Sequence, residues 1–402
     1  MKKILISTGG SGGHVIPAIA LFDHYRENFE IYLVSDRRGA KYIDQNKYSF
    51  EIIDIPKISN NIFKIPFILI FFLISIFKSY FFLRKKNIQY LVSTGGYMSS
   101  PFCIAARFLN LKIFLFEPNM VLGRSNKIFL SSSKKIICYS EQIRNFPNKF
   151  KHKILLINPL LRKEIYSLAK NIKRENDLYF KILIIGGSQG ANFFDEKIIE
   201  LAIKLSKENE IYLIQQVSDE DKKIDLSKQY NELNLKYELF DFNNELYKKF
   251  KDIDFAITRA GASTISELSF YNIPFLAVPF PYAKDDHQFY NAKYYSDKDL
   301  CWLVKQEDFN PNKITDLLTN LIKDRKGYLL KNLNMEKFSY QNTWNNINQK
   351  LTVLNSLCPS VSRLQFVAQL EGVHDDEPGR GCVVGRKAGF LNVVQRKRSQ
   401  IA

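Results

Sequence analysis

The sequence predicts an α/β protein with two doubly wound parallel-sheet domains that face a cleft. Twice, a short apolar strand leads directly into a glycine-rich turn: residues 3–7 lead into 9–14, and residues 181–185 lead into 186–191. A strand, a glycine turn and a helix together direct free backbone N–H groups and the positive helix end towards a phosphate. The repetition therefore predicts two nucleotide-binding-type domains, and such a cleft suits a nucleotide-linked substrate.

Alternating apolar strands and helical segments support this fold class. In the first half, strands are expected at 3–7, 30–35, 50–55, 89–93, 112–116 and 135–139, with helices at 17–27, at 65–83 and from Ser100. In the second half, strands are expected at 180–185, 211–216, 237–240, 254–258 and 275–278. The predicted domains are 1–160 and 161–356, with a last helix that could pack back onto the first. Residues 357–402 differ in composition and are expected to be a poorly ordered extension.

Composition and charge limit the classes of partner. The chain has 402 residues, 46% of them hydrophobic and 25% charged, as in a folded protein with full cores. Its net charge of +17 favours a polyanionic partner such as a nucleic acid or an anionic membrane surface. No nucleic-acid-binding motif accompanies the charge, so nucleic acid is not expected as a partner. The five cysteines form no C-x-x-C pair, which predicts buried thiols in a reducing cytosol and no metal site.

One segment, residues 65–77, is apolar enough to contact lipid, and basic residues 84–86 follow it. The uninterrupted run is shorter than the ~20 residues of a spanning helix, and burial within the domain is the alternative. We expect a surface helix that dips into the lipid boundary. Residues 1–3 lead directly into the first strand without a secretory signal, which predicts a peripheral protein on the cytoplasmic face of the cell membrane.

The first glycine turn carries the strongest catalytic candidate, His14. The turn reads Gly-Gly-Ser-Gly-Gly-His, and Pro17 is expected to help start the helix that follows. A histidine at a helix N-terminus lies in a positive field that disfavours the imidazolium ion, so a neutral imidazole can accept a proton. A histidine that only caps the helix is the alternative.

Other polar loops are expected at the carboxyl ends of strands. They comprise residues 94–101, 117–119, 258–267 and 285–292. Thr264 and Glu267 also fit a capping box, in which Glu267 would only start a helix, and residues 285–288 fit an N-cap. Asp252 and Asp254 look like a metal-binding pair, but they precede their strand and so are expected at the wrong edge of the sheet.

Together these motifs resemble the MurG family of peptidoglycan N-acetylglucosaminyltransferases. The matching segments are 9–14, 95–97, 117–119, 186–191, 259–267 and 287–292. The resemblance implies the GT-B fold and transfer of N-acetylglucosamine, with inversion, from UDP-N-acetylglucosamine to the 4-hydroxyl of undecaprenyl-diphosphate-linked N-acetylmuramyl-pentapeptide. No cofactor is implied, because helix ends can stabilise the leaving diphosphate without a metal. Arg162 is one residue out of register with the family's pattern and is not counted as a site residue.

The resemblance also implies residue roles. His14 would be the general base on the acceptor hydroxyl, and Gly95, Gly96 and Tyr97 would face the lipid diphosphate. Glu267 would hold the ribose hydroxyls, Ser188 would contact the diphosphate of UDP, and Gln288 and Asn291 would contact the N-acetylglucosamine. The whole donor pocket would be lined by Ser11, Gly12, Gly13, Asn119, Ser188, Ala262, Ser263, Thr264, Glu267, Gln288 and Asn291.

Other functions stay open from the sequence. An enzyme of the same fold could glycosylate diacylglycerol or epimerise UDP-N-acetylglucosamine. The apolar helix suits an enzyme with a lipid acceptor but not a soluble epimerase. A noncatalytic nucleotide-sugar-binding protein would bind its ligand without releasing UDP.

Overall fold

A computed structural model describes residues 1–55, 65–168, 178–241, 243 and 245–356, apart from the side chains of 188–190 and 353–356. Met1–Asn348 form one compact unit. Gln349–Ala402 form a second unit, of which only the end of a helix is described. The predicted extension at 357–402 lies outside the described residues.

The first half of the chain forms a seven-stranded parallel sheet. Its strands are β1 (Lys2–Ser7), β2 (Phe29–Ser35), β3 (Glu51–Ile52), β4 (Tyr90–Ser93), β5 (Lys112–Glu117), β6 (Ser133–Cys138) and β7 (Ile154–Leu156). They lie in the order β3-β2-β1-β4-β5-β6-β7. The accompanying helices are α1 (Gly12–Tyr25), α2 (Arg37–Ala40), α3 (Ile65–Lys85), α4 (Ser100–Phe108) and α5 (Arg124–Phe129). Helix α6 (Lys163–Ser167) follows, and its buried Ile165 packs with the core of the second half.

The second half forms a six-stranded parallel sheet. Its strands are β8 (Phe180–Ile185), β9 (Ile211–Gln216), β10 (Lys236–Phe240), β11 (Phe255–Thr258), β12 (Phe275–Ala277) and β13 (Trp302–Leu303), in the order β10-β9-β8-β11-β12-β13. The helices are α7 (Gly187–Leu205), α8 (Glu220–Glu232), α9 (Ala262–Phe270), α10 (His287–Ser296), α11 (Pro311–Lys323), α12 (Lys326–Ser339) and α13 (Trp344–Ser356). The predicted fold class, two doubly wound parallel sheets, is confirmed.

Each sheet reverses its strand order once, and four of the predicted motifs follow the strands beside these reversals: 9–14, 94–101, 186–191 and 258–267. In the first sheet the reversal lies between β1 and β4, and in the second between β8 and β11. The carboxyl ends of strands at such a switch point form the ligand-binding crevice of open α/β sheets. Helix α1 follows β1, α9 follows β11, and the two helices contact each other. The contact brings together the helices that begin at the two switch points.

The structure differs from the sequence prediction in several local details. Strands β7 and β13, three and two residues long at the outer edges of the sheets, were not predicted. Helix α1 begins at Gly12, so Pro17 lies inside the helix and the prediction that it helps start the helix is wrong. Its ring removes one i→i−4 hydrogen bond there. Of the five cysteines, Cys103, Cys138 and Cys301 are free and buried, as predicted, and the others lie outside the described residues.

Helix α3 is exposed, as expected of a surface helix, and it extends to Lys85 rather than to residue 83. By length and composition its 21 residues could cross a membrane, so the expectation that the segment is too short is wrong. Burial within the domain is also wrong, because only 11% of its most apolar window is buried. The buried side chains, Ser75, Ser79 and Leu83, repeat every four residues and form one stripe. Most of the exposed side chains are apolar, and Lys78, Arg84 and Lys85 are exposed among them.

The start of α13 packs against α1. The indole of Trp344 is stacked on the imidazole of His24, with 3.6 Å between ring centroids and 16° between planes. The Nδ1 atom of His24 is hydrogen-bonded to the side chain of Asn348. Burial lowers the pKa of His24 to about 4, so this histidine is neutral at pH 7.

Candidate active site

His14 lies in the first turn of α1, directly after the first glycine turn. Its Nδ1 is 2.7 Å from the carbonyl oxygen of Thr94, just beyond β4. A carbonyl oxygen only accepts hydrogen bonds, so in the neutral ring Nδ1 carries the proton and Nε2 carries the lone pair. Burial lowers the pKa of His14 below the usual 6.5, despite the bond to Thr94. His14 is therefore a neutral imidazole at pH 7 that can accept a proton at Nε2.

The glycine loop after β4 forms a wall against the His14 ring. Gly95 and Gly96 have φ angles of +88° and +77°, which L side chains rarely adopt. A Cβ on Gly95 would lie 3.4 Å from Cε1 of His14, and a Cβ on Gly96 would lie 3.5 Å from Cδ2. Glycine at both positions lets the backbone approach the imidazole closely. His14, Gly95 and Gly96, predicted separately, thus meet at one switch point.

Asp36, which the sequence analysis did not identify, ties this loop to the first glycine turn. It accepts hydrogen bonds from the backbone nitrogens of Gly10 and Gly39, both at 2.8 Å. Its Oδ2 accepts a third from the Tyr97 hydroxyl, at 2.9 Å. Burial acts to raise the pKa of Asp36, but these hydrogen bonds and nearby Arg38 keep it below its ordinary value. Tyr97, expected at the acceptor diphosphate, is thereby fixed beside both loops.

Ser11, Gly12 and Gly13 form the start of α1 next to His14. Ser11 is the N-cap residue, and its exposed side chain makes no capping hydrogen bond. A Cβ on Gly12 would lie 3.2 Å from the ring of Tyr42. Gly13 is exposed. These three residues therefore lie beyond the carboxyl end of β1, beside the first switch point, and their contacts with UDP-N-acetylglucosamine remain predictions.

Glu117, at the end of β5, is buried and organises the loop that carries Asn119. Its Oε1 accepts hydrogen bonds from the backbone and side-chain nitrogens of Asn119, at 3.3 and 3.1 Å. Its Oε2 accepts from Gly123 N at 2.8 Å and Asn126 Nδ2 at 2.9 Å. Burial raises the pKa of Glu117, although these donors favour the carboxylate. Glu117 thus acts as a positioning residue for Asn119.

Asn119 and Asn291 join the two sheets. Asn291 donates from Nδ2 to Asn119 Oδ1 at 3.0 Å and to the Ala260 carbonyl at 3.2 Å, and its Oδ1 accepts from Met120 N at 2.9 Å. Both the oxygen and the nitrogen of its amide are therefore used within the protein. In this structure Asn291 is a bridge between the sheets, and its sugar contact remains a prediction.

Two further contacts cross between the same loops. Arg124 donates to both carboxylate oxygens of Asp285, at 3.0 and 2.6 Å. The guanidinium of Arg144 lies 4.3 Å from the centre of the Tyr290 ring. Asp286 precedes α10 but makes no side-chain capping bond, so the N-cap interpretation of residues 285–288 is wrong. Asp285 pairs across the loops instead.

Glu267 forms a buried ion pair with Arg162. The Nη2 atom of Arg162 donates to both oxygens of Glu267, at 3.0 and 3.1 Å. The guanidinium also stacks on the Tyr247 ring at 4.3 Å. Burial raises the pKa of Glu267, and Arg162 opposes that effect. Helix α9 begins at Ala262 after Gly261, so Thr264 is not an N-cap and the capping-box interpretation is wrong.

The remaining donor-side residues surround the start of α9. Ala262 is buried, and Ser263 and Thr264 are partly exposed in its first turn. Gln288 accepts hydrogen bonds at Oε1 from Ala260 N, at 3.1 Å, and Phe280 N, at 3.0 Å. Gln288 thus fixes the loops that follow β11 and β12.

The second glycine turn also matches its prediction. A Cβ on Gly186 would lie 2.3 Å from Cα of Ala191, and Gly187 has φ +66°, so neither position accepts a side chain readily. Gly187 N donates to Gln216 Oε1 at 2.9 Å. The side chain of Ser188, expected at the diphosphate, lies outside the described residues. By contrast, Asp254 accepts from Lys181 N at the amino ends of β8 and β11, the opposite edge of the sheet, as predicted.

Comparisons with known proteins agree with this architecture. The chain matches the glycosyltransferase family 28 N-terminal domain over residues 4–138 and the glycosyltransferase family 28 C-terminal domain over residues 181–347. A protein of Pelagibacter ubique (strain HTCC1062) is 47% identical over 355 residues, which cover 88% of this chain and 99% of that protein. It is named UDP-N-acetylglucosamine--N-acetylmuramyl-(pentapeptide) pyrophosphoryl-undecaprenol N-acetylglucosamine transferase. The chain belongs to the MurG family.

Two more relatives extend the comparison. A Rickettsia canadensis (strain McKiel) protein with the same name is 37% identical and covers 81% of this chain and 92% of its own length. The crystal structure of Acinetobacter baumannii MurG superposes with a TM-score of 0.66 at 22% identity, covering 88% of this chain and 99% of that one. At that identity the structural match supports the GT-B fold alone.

Several groups in the site were not among the predicted residues. Arg162 is out of register with the family's pattern, Glu117 lies in a matching segment without a predicted role, and Asp36 and Arg38 follow a strand without a glycine signal. For Asp36 the usable signal is the Asp-x-x-Gly pattern of a short helix start, in which Asp36 caps α2 through Gly39 N. These side chains position the predicted residues, which is why motif spacing did not reveal them.

Proposed function

We propose that the chain is an inverting glycosyltransferase that moves N-acetylglucosamine from UDP-N-acetylglucosamine to the 4-hydroxyl of undecaprenyl-diphosphate-linked N-acetylmuramyl-pentapeptide. Membership of the MurG family supports this substrate pair. The observation that carries the mechanism is His14 with its Nδ1 bound to the Thr94 carbonyl, because this bond fixes Nε2 as the proton acceptor.

In the proposed reaction, the acceptor 4-oxygen attacks the anomeric carbon while its proton moves to Nε2 of His14. The bond between the anomeric carbon and the diphosphate oxygen breaks, and its electron pair leaves with UDP. One displacement of this kind inverts the sugar carbon. The positive ends of α7 and α9 lie at the second switch point and favour the leaving diphosphate. We therefore assign no metal or cofactor to the reaction.

The experiment that tests this proposal is UDP release from UDP-N-acetylglucosamine, with and without the lipid-linked muramyl acceptor. Release that requires this acceptor, with a product one N-acetylglucosamine heavier, is expected. Release with diacylglycerol as acceptor, or conversion of the sugar without an acceptor, would favour the other enzymes of this fold. Binding of the nucleotide sugar without UDP release would indicate a noncatalytic protein.

We further propose that α3 seats the enzyme on an anionic membrane surface as a peripheral protein at the cytoplasmic face. The supporting observation is the contrast between its two sides. Phe67, Phe77 and Phe81 are 63–66% exposed, whereas Ser75, Ser79 and Leu83 are buried against the domain. Because the second half of the helix packs one stripe, Ser75, Ser79 and Leu83, against the domain beside α4, lying at the interface fits better than crossing the bilayer. Lys78, Arg84 and Lys85 line an apolar groove along the same helix and suit lipid phosphates.

The membrane proposal is tested by extraction. A peripheral protein leaves membranes in high salt or alkaline carbonate, whereas a protein anchored by a spanning helix stays in the pellet. No nucleic-acid partner is proposed, and the positive charge is assigned to the membrane surface.

A further inference from the structure

We infer that Arg38 is a binding residue for the diphosphate of the lipid-linked acceptor, which rests on the proposed function. Arg38 lies on α2 between the two glycine loops of the first sheet. Its Nη2 would be 3.8 Å from a Cβ placed on Gly10. Its guanidinium lies 5.2 Å from the centre of the Tyr97 ring and contacts the Tyr97 hydroxyl. A guanidinium is thus held against both loops at once.

The contacts of Arg38 hold its position without using all of its donors. Nε and Nη2 are 3.4 and 3.3 Å from Asp36 Oδ2, at the long end of hydrogen-bond distances. Asp36 makes shorter hydrogen bonds to two backbone nitrogens and to Tyr97. Within the described part of the chain, the hydrogen bonds of Arg38 use only Nε and Nη2, so Nη1 is available to a ligand.

The exposure of Arg38 also fits contact with a ligand. Its side chain is 43% exposed, whereas that of Asp36 is 4% exposed. The charge pair therefore presents its cation to solvent and its anion to the protein. A planar guanidinium with several donors suits a diphosphate, which offers oxygens on two phosphorus atoms. The acceptor diphosphate is assigned here because Arg38 contacts Tyr97, which is expected to face that diphosphate, and because the diphosphate of UDP is expected at Ser188 in the second half of the chain.

Arg37, the preceding residue on the same helix, provides a matched control. Its side chain is 83% exposed, and its Nε pairs with Asp54 at 2.8 Å. Within the described residues, Arg37 contacts Asp54 and not the glycine loops. Replacing Arg37 or Arg38 removes the same charge from the same short helix. The two variants differ mainly in whether the lost guanidinium contacts Asp54 or the glycine loops.

The test is calorimetric titration of the full-length protein with a short, soluble prenyl diphosphate. Saturating UDP is present to block the donor pocket, and the matching prenyl monophosphate is titrated in parallel. Arg38→Ala and Arg38→Gln are expected to weaken diphosphate binding about 10- to 100-fold, the range for a lost charged hydrogen bond. The preference for diphosphate over monophosphate should shrink, and Arg37→Ala should behave as the wild type. Arg38→Lys should restore part of the affinity through its charge.

Equal diphosphate affinity in Arg38→Ala, Arg38→Gln and wild type would overturn the inference. An equal loss in Arg37→Ala would overturn it too, since the effect would then be general charge. Turnover with the lipid-linked acceptor is measured on the same samples. Wild-type protein that binds the prenyl diphosphate through Arg38 but transfers no sugar would contradict the proposed function and leave the binding role of Arg38 standing.

Discussion

Replacing two exposed rings of α3 is expected to release the enzyme from anionic vesicles. Phe77 is 63% exposed and Phe81 is 65% exposed, on the same side of the helix. Unlike Phe72 on the same helix, which packs partly against the core, neither Phe77 nor Phe81 is among the described side chains that contact it. The double variant Phe77→Ser and Phe81→Ser therefore removes apolar surface that faces outwards without opening a cavity.

The exposed fractions set the size of the effect. A phenylalanine ring can bury roughly 200 Å², so about 130 Å² of each ring is available to lipid. At ~25 cal/mol per Å², full transfer of both exposed surfaces would contribute about 6 kcal/mol. A helix lying at the interface inserts its face only part-way, so about half is expected, on the order of 3 kcal/mol. The partition into vesicles should fall roughly 100-fold.

The assay is co-sedimentation with vesicles that contain an anionic phospholipid, at several lipid concentrations. The matched control is Ile224→Ser and Leu330→Ser, which changes two exposed apolar residues on helices of the second sheet. Turnover with a short-chain soluble acceptor checks that both proteins are folded. Unchanged partition of the α3 variant, or an equal loss in the control, would refute the reasoning.

Three further predictions concern buried titratable groups. His14→Ala should lower kcat by ~10²–10⁴ with UDP binding unchanged. In the wild type, kcat/KM should fall only when the pH drops below 6.5, because the pKa of His14 is lowered from that value. Glu267→Gln should weaken UDP binding. It should also lower the unfolding temperature, because it leaves the buried charge of Arg162 without its partner carboxylate. Adding Arg162→Met to this variant should restore most of the stability. The pKa of His24 is about 4 in the folded protein against 6.5 in the unfolded chain, so protonation of this histidine favours unfolding. The protein should lose on the order of 3 kcal/mol of stability from this group as the pH falls from 6.5 towards 4, and His24→Gln should abolish that loss.

Each of these has its own control. Circular dichroism must show folded His14→Ala, and normal turnover by that variant would exclude the base assignment. For Glu267, calorimetric UDP affinity equal to the wild type would end the ribose-binding role, and an unchanged unfolding temperature would argue against the ion pair. For His24, the comparison is the difference in stability between variant and wild type at pH 7 and pH 4.5; a constant difference contradicts the pKa shift.

The parts of the fold set by local sequence could be predicted. Both strand, glycine turn and helix units are found where expected, because positive φ at Gly187 and the close approach of Gly186 to Ala191 require glycine within a few residues of the strand. Strands β7 and β13 were missed since two or three residues at a sheet edge carry no periodic signal. Helix α3 was predicted as a surface helix, because the segment is more apolar than one buried face requires and basic residues 84–86 follow it, and its exposure is confirmed.

The site was predictable where one loop carries the chemistry and not where distant segments meet. His14 and Gly95 lie in separate motifs, and each was recognised locally. The pairing of Arg162 with Glu267 joins residues 105 positions apart and depends on how the segment after β7 meets α9. In the sequence, Thr264 and Glu267 fit a capping box as well as Glu267 fits a ribose-binding role. Only the start of α9 at Ala262 decides against the capping box.

The carbonyl that orients His14 has a consequence for the timing of proton transfer. In catalytic triads a carboxylate faces the histidine and stabilises the imidazolium once it forms. Here the partner is the neutral peptide dipole of Thr94, and the ring lies at the positive end of α1. A charged imidazolium is therefore poorly stabilised before the reaction. In the proposed mechanism, the acceptor hydroxyl would therefore keep its proton until negative charge begins to develop on the departing diphosphate, which would couple deprotonation of the acceptor to the presence of the donor.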